Sequence, residues 1–160
     1  GTLSKTFASC GGYVAGSHQL IRYLKHTTPG FMFSVGMPPA SAGAALAVVD
    51  LLQKDNKRVV NLHKNAKFFL KRAKELNLNT GLSHDSAVIP VVVGDSIKAI
   101  KLTNFLFDNG INVSPILYPA VSEEDARLRF FITTDHKEEQ MIYTLDKVKE
   151  GLIELGVLDE

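Results

Sequence analysis

The run Ser86-Ala87-Val88-Ile89-Pro90-Val91-Val92-Val93-Gly94 does most to restrict the fold. Its density of β-branched residues, bounded by glycine, predicts a strand. Pro90 has no N–H to give to a ladder, which places that strand at a sheet edge or a bulge. The residues after Gly94 have to complete the sheet. Asp95 or Ser96 is placed to cap a helix carrying Ala99, Leu102, Phe105 and Leu106, which stops at Asn109-Gly110 with glycine after the last turn. Ile111 to Leu117 reads as a second strand, Tyr118-Pro119-Ala120-Val121 as a turn, and Arg127 to Thr133 as a third strand. Asp135 is expected to cap a last helix from about Lys137 to Leu155, with Met141, Leu145, Val148 and Leu152 facing inward. The order strand, helix, strand, strand, helix predicts an α/β arrangement, a small domain whose antiparallel sheet is covered by helices.

Upstream of that domain the periodicity is helical. Val59, Leu62, Ala66, Phe69, Ala73 and Leu76 share one face of a helix over about Lys57 to Leu76, and Lys64, Lys67, Lys71 and Lys74 fall mostly off it. Asp55 and Asn56 separate this helix from an alanine-rich one over Ala40 to Leu52, whose small side chains suit close packing. The interruption divides the chain into residues 1–54 and 55–160. Ser17 can cap an earlier helix bearing Leu20, Ile21 and Leu24, broken by Thr27-Thr28-Pro29-Gly30. Tyr13 to Gly16 reads as a short buried strand, and Phe31 to Pro39 as a strand entering a proline-started helix.

At 160 residues the chain can hold one domain with a real core. Its 18 Lys+Arg against 17 Asp+Glu leave a formal charge of +1, so nothing argues for a nucleic-acid or acidic-membrane partner. No signal peptide opens the sequence, and no apolar run reaches the roughly 18 residues of a transmembrane segment. Cys10, the single cysteine, cannot form an internal disulfide; this favours a reducing, cytoplasmic setting, with the side chain as a small apolar filler. His18 and His26 have no second ligand at useful spacing, and no metal site is expected.

Chemistry is concentrated in Gly1-Thr2-Leu3-Ser4-Lys5-Thr6-Phe7-Ala8-Ser9-Cys10-Gly11-Gly12. Thr2 and Ser4 bring hydroxyls within a turn of the Lys5 amine, while Ala8, Ser9, Gly11 and Gly12 leave room for a ligand against backbone. An amine beside hydroxyl and backbone donors suits a phosphorylated aldehyde. A second cluster is Arg127-Leu128-Arg129, whose arginines share one face of a strand because side chains alternate with period two. Both could point at one anion. Alternatively, both could pair with Glu123, Glu124 or Asp125.

These stretches resemble the α-oxoamine synthases, a branch of the fold-type-I enzymes that use pyridoxal 5'-phosphate. The lysine pattern of that family, T-L/F-G/S-K-A/S/T-x-G-x-x-G-G, is matched at Thr2, Leu3, Ser4, Lys5, Thr6, Gly11 and Gly12, with Ala8 in place of a glycine. Phe33, Ser34, Met37, Pro38 and Pro39 match a second family segment, Ser86 to Asp95 a third, and Pro119, Val121, Arg127, Leu128 and Arg129 a fourth. The resemblance implies the C-terminal part of such a transferase, with residues 1–54 as the remnant of the large cofactor domain. It implies that Lys5 binds pyridoxal phosphate covalently, that Thr2 donates its hydroxyl to the cofactor phosphate, and that Ser34 reaches that phosphate across a homodimer. Arg129 would then grip the α-carboxylate of the substrate. The implied reaction is decarboxylative condensation of a small amino acid with an acyl-CoA. An aminotransferase of the same fold would use the same lysine and arginine, and a non-catalytic domain or partner subunit is a third reading, against which the presence of Lys5 argues.

Overall fold

A computed structural model describes residues 1–159. The chain divides into two compact units, Gly1–Asn56 and Lys57–Glu160.

In the second unit, strands β1 (Val88–Val92), β2 (Ser114–Ile116) and β3 (Arg127–Phe131) form an antiparallel sheet in the order β1-β3-β2. Its helices are α4 (Lys57–Glu75), α5 (Ser96–Asp108) and α6 (Glu138–Glu154). Register sets Ile89 opposite Phe130 and Val91 opposite Leu128, and all four side chains are buried on one face. Against that face pack Phe69 and Ala73 of α4, Ala99, Leu102 and Leu106 of α5, and Met141, Leu145, Val148 and Leu152 of α6. The rings of Phe69 and Phe130 meet at 5.3 Å, tilted by 44°. Helices α5 and α6 approach closely at Gly151, where an added Cβ would lie 2.5 Å from Leu102 Cδ1 and 2.8 Å from Phe105 Cδ1.

Pro90 sits on an edge strand, as its missing N–H requires. The edge amides beside it are engaged: the Val92 N–H donates to the Asn79 carbonyl at 2.8 Å, and the Val88 N–H to Ser86 Oγ at 3.1 Å. Asp95 caps α5, accepting from the Lys98 N–H at 2.7 Å. That helix ends in the paired bonds of a Schellman motif, Gly110 N–H to the Phe107 carbonyl at 2.9 Å and Ile111 N–H to the Leu106 carbonyl at 2.8 Å, with Gly110 at φ 78°. This explains why β2 is shorter than the expected 111–117, since Ile111 is still finishing the helix. The cap of α6 also differs from expectation. Lys137 occupies it, with its N–H held by the Gln140 side chain at 2.9 Å, while the Asp135 carboxylate accepts from the Thr134 hydroxyl.

The first unit contains α1 (His18–Thr27), α2 (Pro29–Met32) and α3 (Pro39–Lys54). Ser17 caps α1, accepting from the Leu20 N–H at 3.3 Å. Leu3 is the one buried residue of this unit, so α1 and α3 carry their apolar side chains without a core of their own. Three local expectations are corrected. Tyr13 and Val14 are exposed and lie in no strand, and Cys10 is exposed rather than a filler. Phe31 and Met32 end a short helix rather than open a strand, and an exposed loop follows, with Phe33 85% and Val35 95% accessible. Each of these predictions presumed a surrounding core, and residues 1–56 do not build one.

Candidate active site

Residues 1–13 form a closed loop. Gly1 and Tyr13 exchange hydrogen bonds at 2.7 and 2.9 Å, and the Leu3 N–H donates to the Gly11 carbonyl at 3.0 Å. Within the loop the Ala8 N–H returns to the Lys5 carbonyl at 2.9 Å, and the Ser9 N–H to the Leu3 carbonyl at 2.9 Å. Ser9 Oγ donates to the Ser41 carbonyl at 2.9 Å, which ties the loop to the first turn of α3. Lys5 stands exposed at the tip.

Around the amine the hydroxyls form a chain. Thr2 Oγ1 and Ser4 Oγ are 2.9 Å apart, the Ser4 N–H points at Thr2 Oγ1 at 3.3 Å, and Lys5 Nζ donates to Ser4 Oγ at 3.5 Å. One primary amine and two hydroxyls are thus held by a few residues of fixed backbone. This donor set fits a ligand carrying both an aldehyde and a phosphate, since an amine condenses with the former and hydroxyls donate to the latter.

Ala8 has φ 45°, in the left-handed region where a side chain costs about 1–2 kcal/mol. The backbone keeps the conformation that suits a glycine at that position although an alanine occupies it. Ala8→Gly is therefore expected to stabilise the protein by about 1 kcal/mol, net of the glycine's extra unfolded-state entropy. Thermal unfolding of both forms measures it; a destabilised glycine variant would show that the loop is not strained.

Ser34 lies in the exposed loop after α2, with its hydroxyl donating to the Gly30 carbonyl, outside the Thr2–Ser4–Lys5 array. Arg129 belongs to the second unit. Alternation along β3 puts Arg127, Arg129 and Phe131 on the face opposite the core, where Pro90 and Ser114 flank Arg129 across the neighbouring strands. The two arginines are unlike in their surroundings. Arg127 Nη2 is 2.8 Å from Asp125 Oδ1, and its Nε donates to the Asp125 carbonyl at 2.6 Å. Arg129 makes no ion pair among the described residues; its guanidinium carbon rests 4.9 Å from the centroid of Phe131. That stacking was missed in the sequence, where an arginine and an aromatic two apart on a strand are the available signal. Arg129 also borders a cleft of about 420 Å³ that extends to His136 and Tyr143. The structure thus brings Thr2, Ser4 and Lys5 together, and it presents Arg129 as an uncommitted cation on an open sheet face.

Among the described residues no cluster of three or more His, Cys, Asp or Glu could hold a metal ion, and no helix is long and apolar enough to cross a membrane. The sequence profile of the family described as aminotransferase class I and II matches residues 1–148. The chain belongs to the aminotransferase class I and II family.

Within that family it is 39% identical over 150 residues to an 8-amino-7-oxononanoate synthase of Fervidobacterium nodosum, covering 94% of this chain and 38% of that protein. It is 36% identical over 151 residues to a serine palmitoyltransferase of Bacteriovorax stolpii, covering 94% and 36%. A serine palmitoyltransferase from S. paucimobilis, solved with bound PLP-myriocin, superposes with a TM-score of 0.86 at 22% identity, over 98% of this chain and 40% of that one. The chain therefore spans about two fifths of the length of these relatives, and it shares the fold-type-I architecture over nearly all of its own length.

Proposed function

We propose that this aminotransferase class I and II chain is part of an α-oxoamine synthase, a homodimeric acyltransferase that condenses a small amino acid with an acyl-CoA and releases carbon dioxide. The observation that carries the reading is the hydroxyl chain at Lys5, with Nζ 3.5 Å from Ser4 Oγ and Ser4 Oγ 2.9 Å from Thr2 Oγ1. An amine alone would be a surface charge; an amine with two hydroxyls beside it supports the reading, since it could meet both the aldehyde and the phosphate of such a cofactor. Relatives whose names specify synthases and a palmitoyltransferase favour acyl transfer over transamination.

In this reading Lys5 Nζ holds pyridoxal phosphate and later takes the proton from the amino acid's α-carbon, and Thr2 Oγ1 donates to the cofactor phosphate. The cofactor, when bound, supplies the electron sink for the carbanion. Arg129 orients the amino acid by its carboxylate, for which a planar guanidinium offers two parallel N–H donors. Ser34 turns from the Gly30 carbonyl to the phosphate bound by the partner subunit. Residues 1–54 belong to the cofactor domain and 55–160 to a small C-terminal domain, and the single thiol suits the cytoplasm.

Borohydride reduction of the intact enzyme followed by peptide mapping tests the assignment. The pyridoxyl group is expected on Lys5, and a label on another lysine would overturn it. Release of coenzyme A together with carbon dioxide, without a 2-oxo acid, separates condensation from transamination.

A further inference from the structure

The open face of β3 carries two arginines on alternate residues, their backbone positions about 6.8 Å apart along the strand, yet only one of them is without an acidic partner among the described residues. Asp125 engages Arg127 twice, through its carboxylate at 2.8 Å and its main-chain carbonyl at 2.6 Å. The acid is itself fixed: Asp125 Oδ2 accepts from Ser122 Oγ at 3.0 Å. The turn it belongs to is pinned to α5, because the Glu123 carboxylate accepts from both the Ser96 N–H and the Ser96 hydroxyl at 2.7 Å. Arg129 has no acidic partner among the described residues, and its guanidinium carbon lies over the Phe131 ring, 4.9 Å from the centroid.

From this we infer that Asp125 is a specificity-determining residue. By holding Arg127, it leaves a single cation on the sheet face, so the site accepts amino acids with one carboxylate and disfavours those with two. Without Asp125, two guanidinium arms one strand repeat apart would match an α,ω-dicarboxylate, each taking one carboxylate in a forked pair. The side chain of Asp125 also places a negative charge beside any second carboxylate that approached Arg127, a repulsive element of the kind that specificity requires. This inference rests on the reading that Arg129 holds the α-carboxylate.

The test uses the intact enzyme loaded with pyridoxal phosphate, with alanine and aspartate as probes. Dissociation constants are read from the change in cofactor absorbance and, independently, by titration calorimetry. Asp125→Asn is expected to improve binding of aspartate relative to alanine by about tenfold, equivalent to about 1.4 kcal/mol. Adding Arg127→Gln to Asp125→Asn should cancel that gain. An aspartate-to-alanine ratio within about twofold of the unmodified protein's, or a gain that persists in the double variant, overturns the proposal. Arg129→Lys separates it from the reading beneath it. If that variant weakens alanine binding while the Asp125→Asn ratio stays fixed, only the role of Asp125 falls; if alanine binding is unchanged in Arg129→Lys, both fall.

Discussion

Lys5→Ala is expected to lower turnover of the intact enzyme by at least about 10²–10⁴-fold, the usual contribution of a positioned acid–base group. Cofactor occupancy should fall much less, because the bond between Thr2 Oγ1 and Ser4 Oγ does not pass through the lysine. Neither do the main-chain bonds that close the loop from Gly1 to Tyr13. Turnover followed by thiol release, alongside cofactor content by absorbance after desalting, distinguishes the two effects. Turnover within about tenfold of the unmodified enzyme would mean that another group moves the α-proton. Loss of cofactor and turnover together would mean that Lys5 is chiefly an anchor.

For stability, the largest effect is expected from Leu128→Ala. Leu128 is fully buried at the centre of the middle strand, with Val91 opposite it on one side and Pro115 on the other. Helices α4, α5 and α6 all contribute to the cluster around it, so collapse into the vacated space would require several elements to move at once. The expected loss is about 3–5 kcal/mol, toward the upper end for a leucine truncated in a core. Urea unfolding monitored by far-ultraviolet dichroism measures it. A loss under about 1.5 kcal/mol would show that the sheet and helices repack around the site.

The second unit was legible in the sequence because its signals are local and mutually consistent. The β-branched run gave β1, Pro90 gave its edge position, Asp95 and Gly110 bracketed α5, and Met141, Leu145, Val148 and Leu152 gave the inner face of α6. What was misplaced depended on competition between neighbouring groups. Gln140 takes the Lys137 amide that Asp135 was expected to organise, and the helix end at Gly110 takes residues assigned to β2. The first unit was less legible for a different reason. An apolar run such as Tyr13 to Gly16 predicts burial only where something covers it, and in residues 1–56 Leu3 alone is buried. At the candidate site the clustering of Thr2, Ser4 and Lys5 came directly from their spacing. The unequal fates of Arg127 and Arg129 did not, because alternation assigns a face without assigning a partner.

The edge amides of β1 bear on what a foreign strand would meet at this side of the sheet. The Val93 N–H donates inward to the Ala126 carbonyl at 2.8 Å, and amides alternate in direction along a strand, so the amide positions of Val88, Pro90 and Val92 look outward. Ser86 Oγ consumes the first, the pyrrolidine ring removes the second, and the Asn79 carbonyl consumes the third. A sheet edge normally templates an incoming strand by offering donors and acceptors in alternation, and here the donors are all spent. A foreign strand laid against β1 would find only carbonyls, and its own carbonyls would go unmet. The proline therefore works against edge-to-edge extension of the sheet, because an incoming strand at β1 could make only the half of the ladder in which its own N–H groups donate.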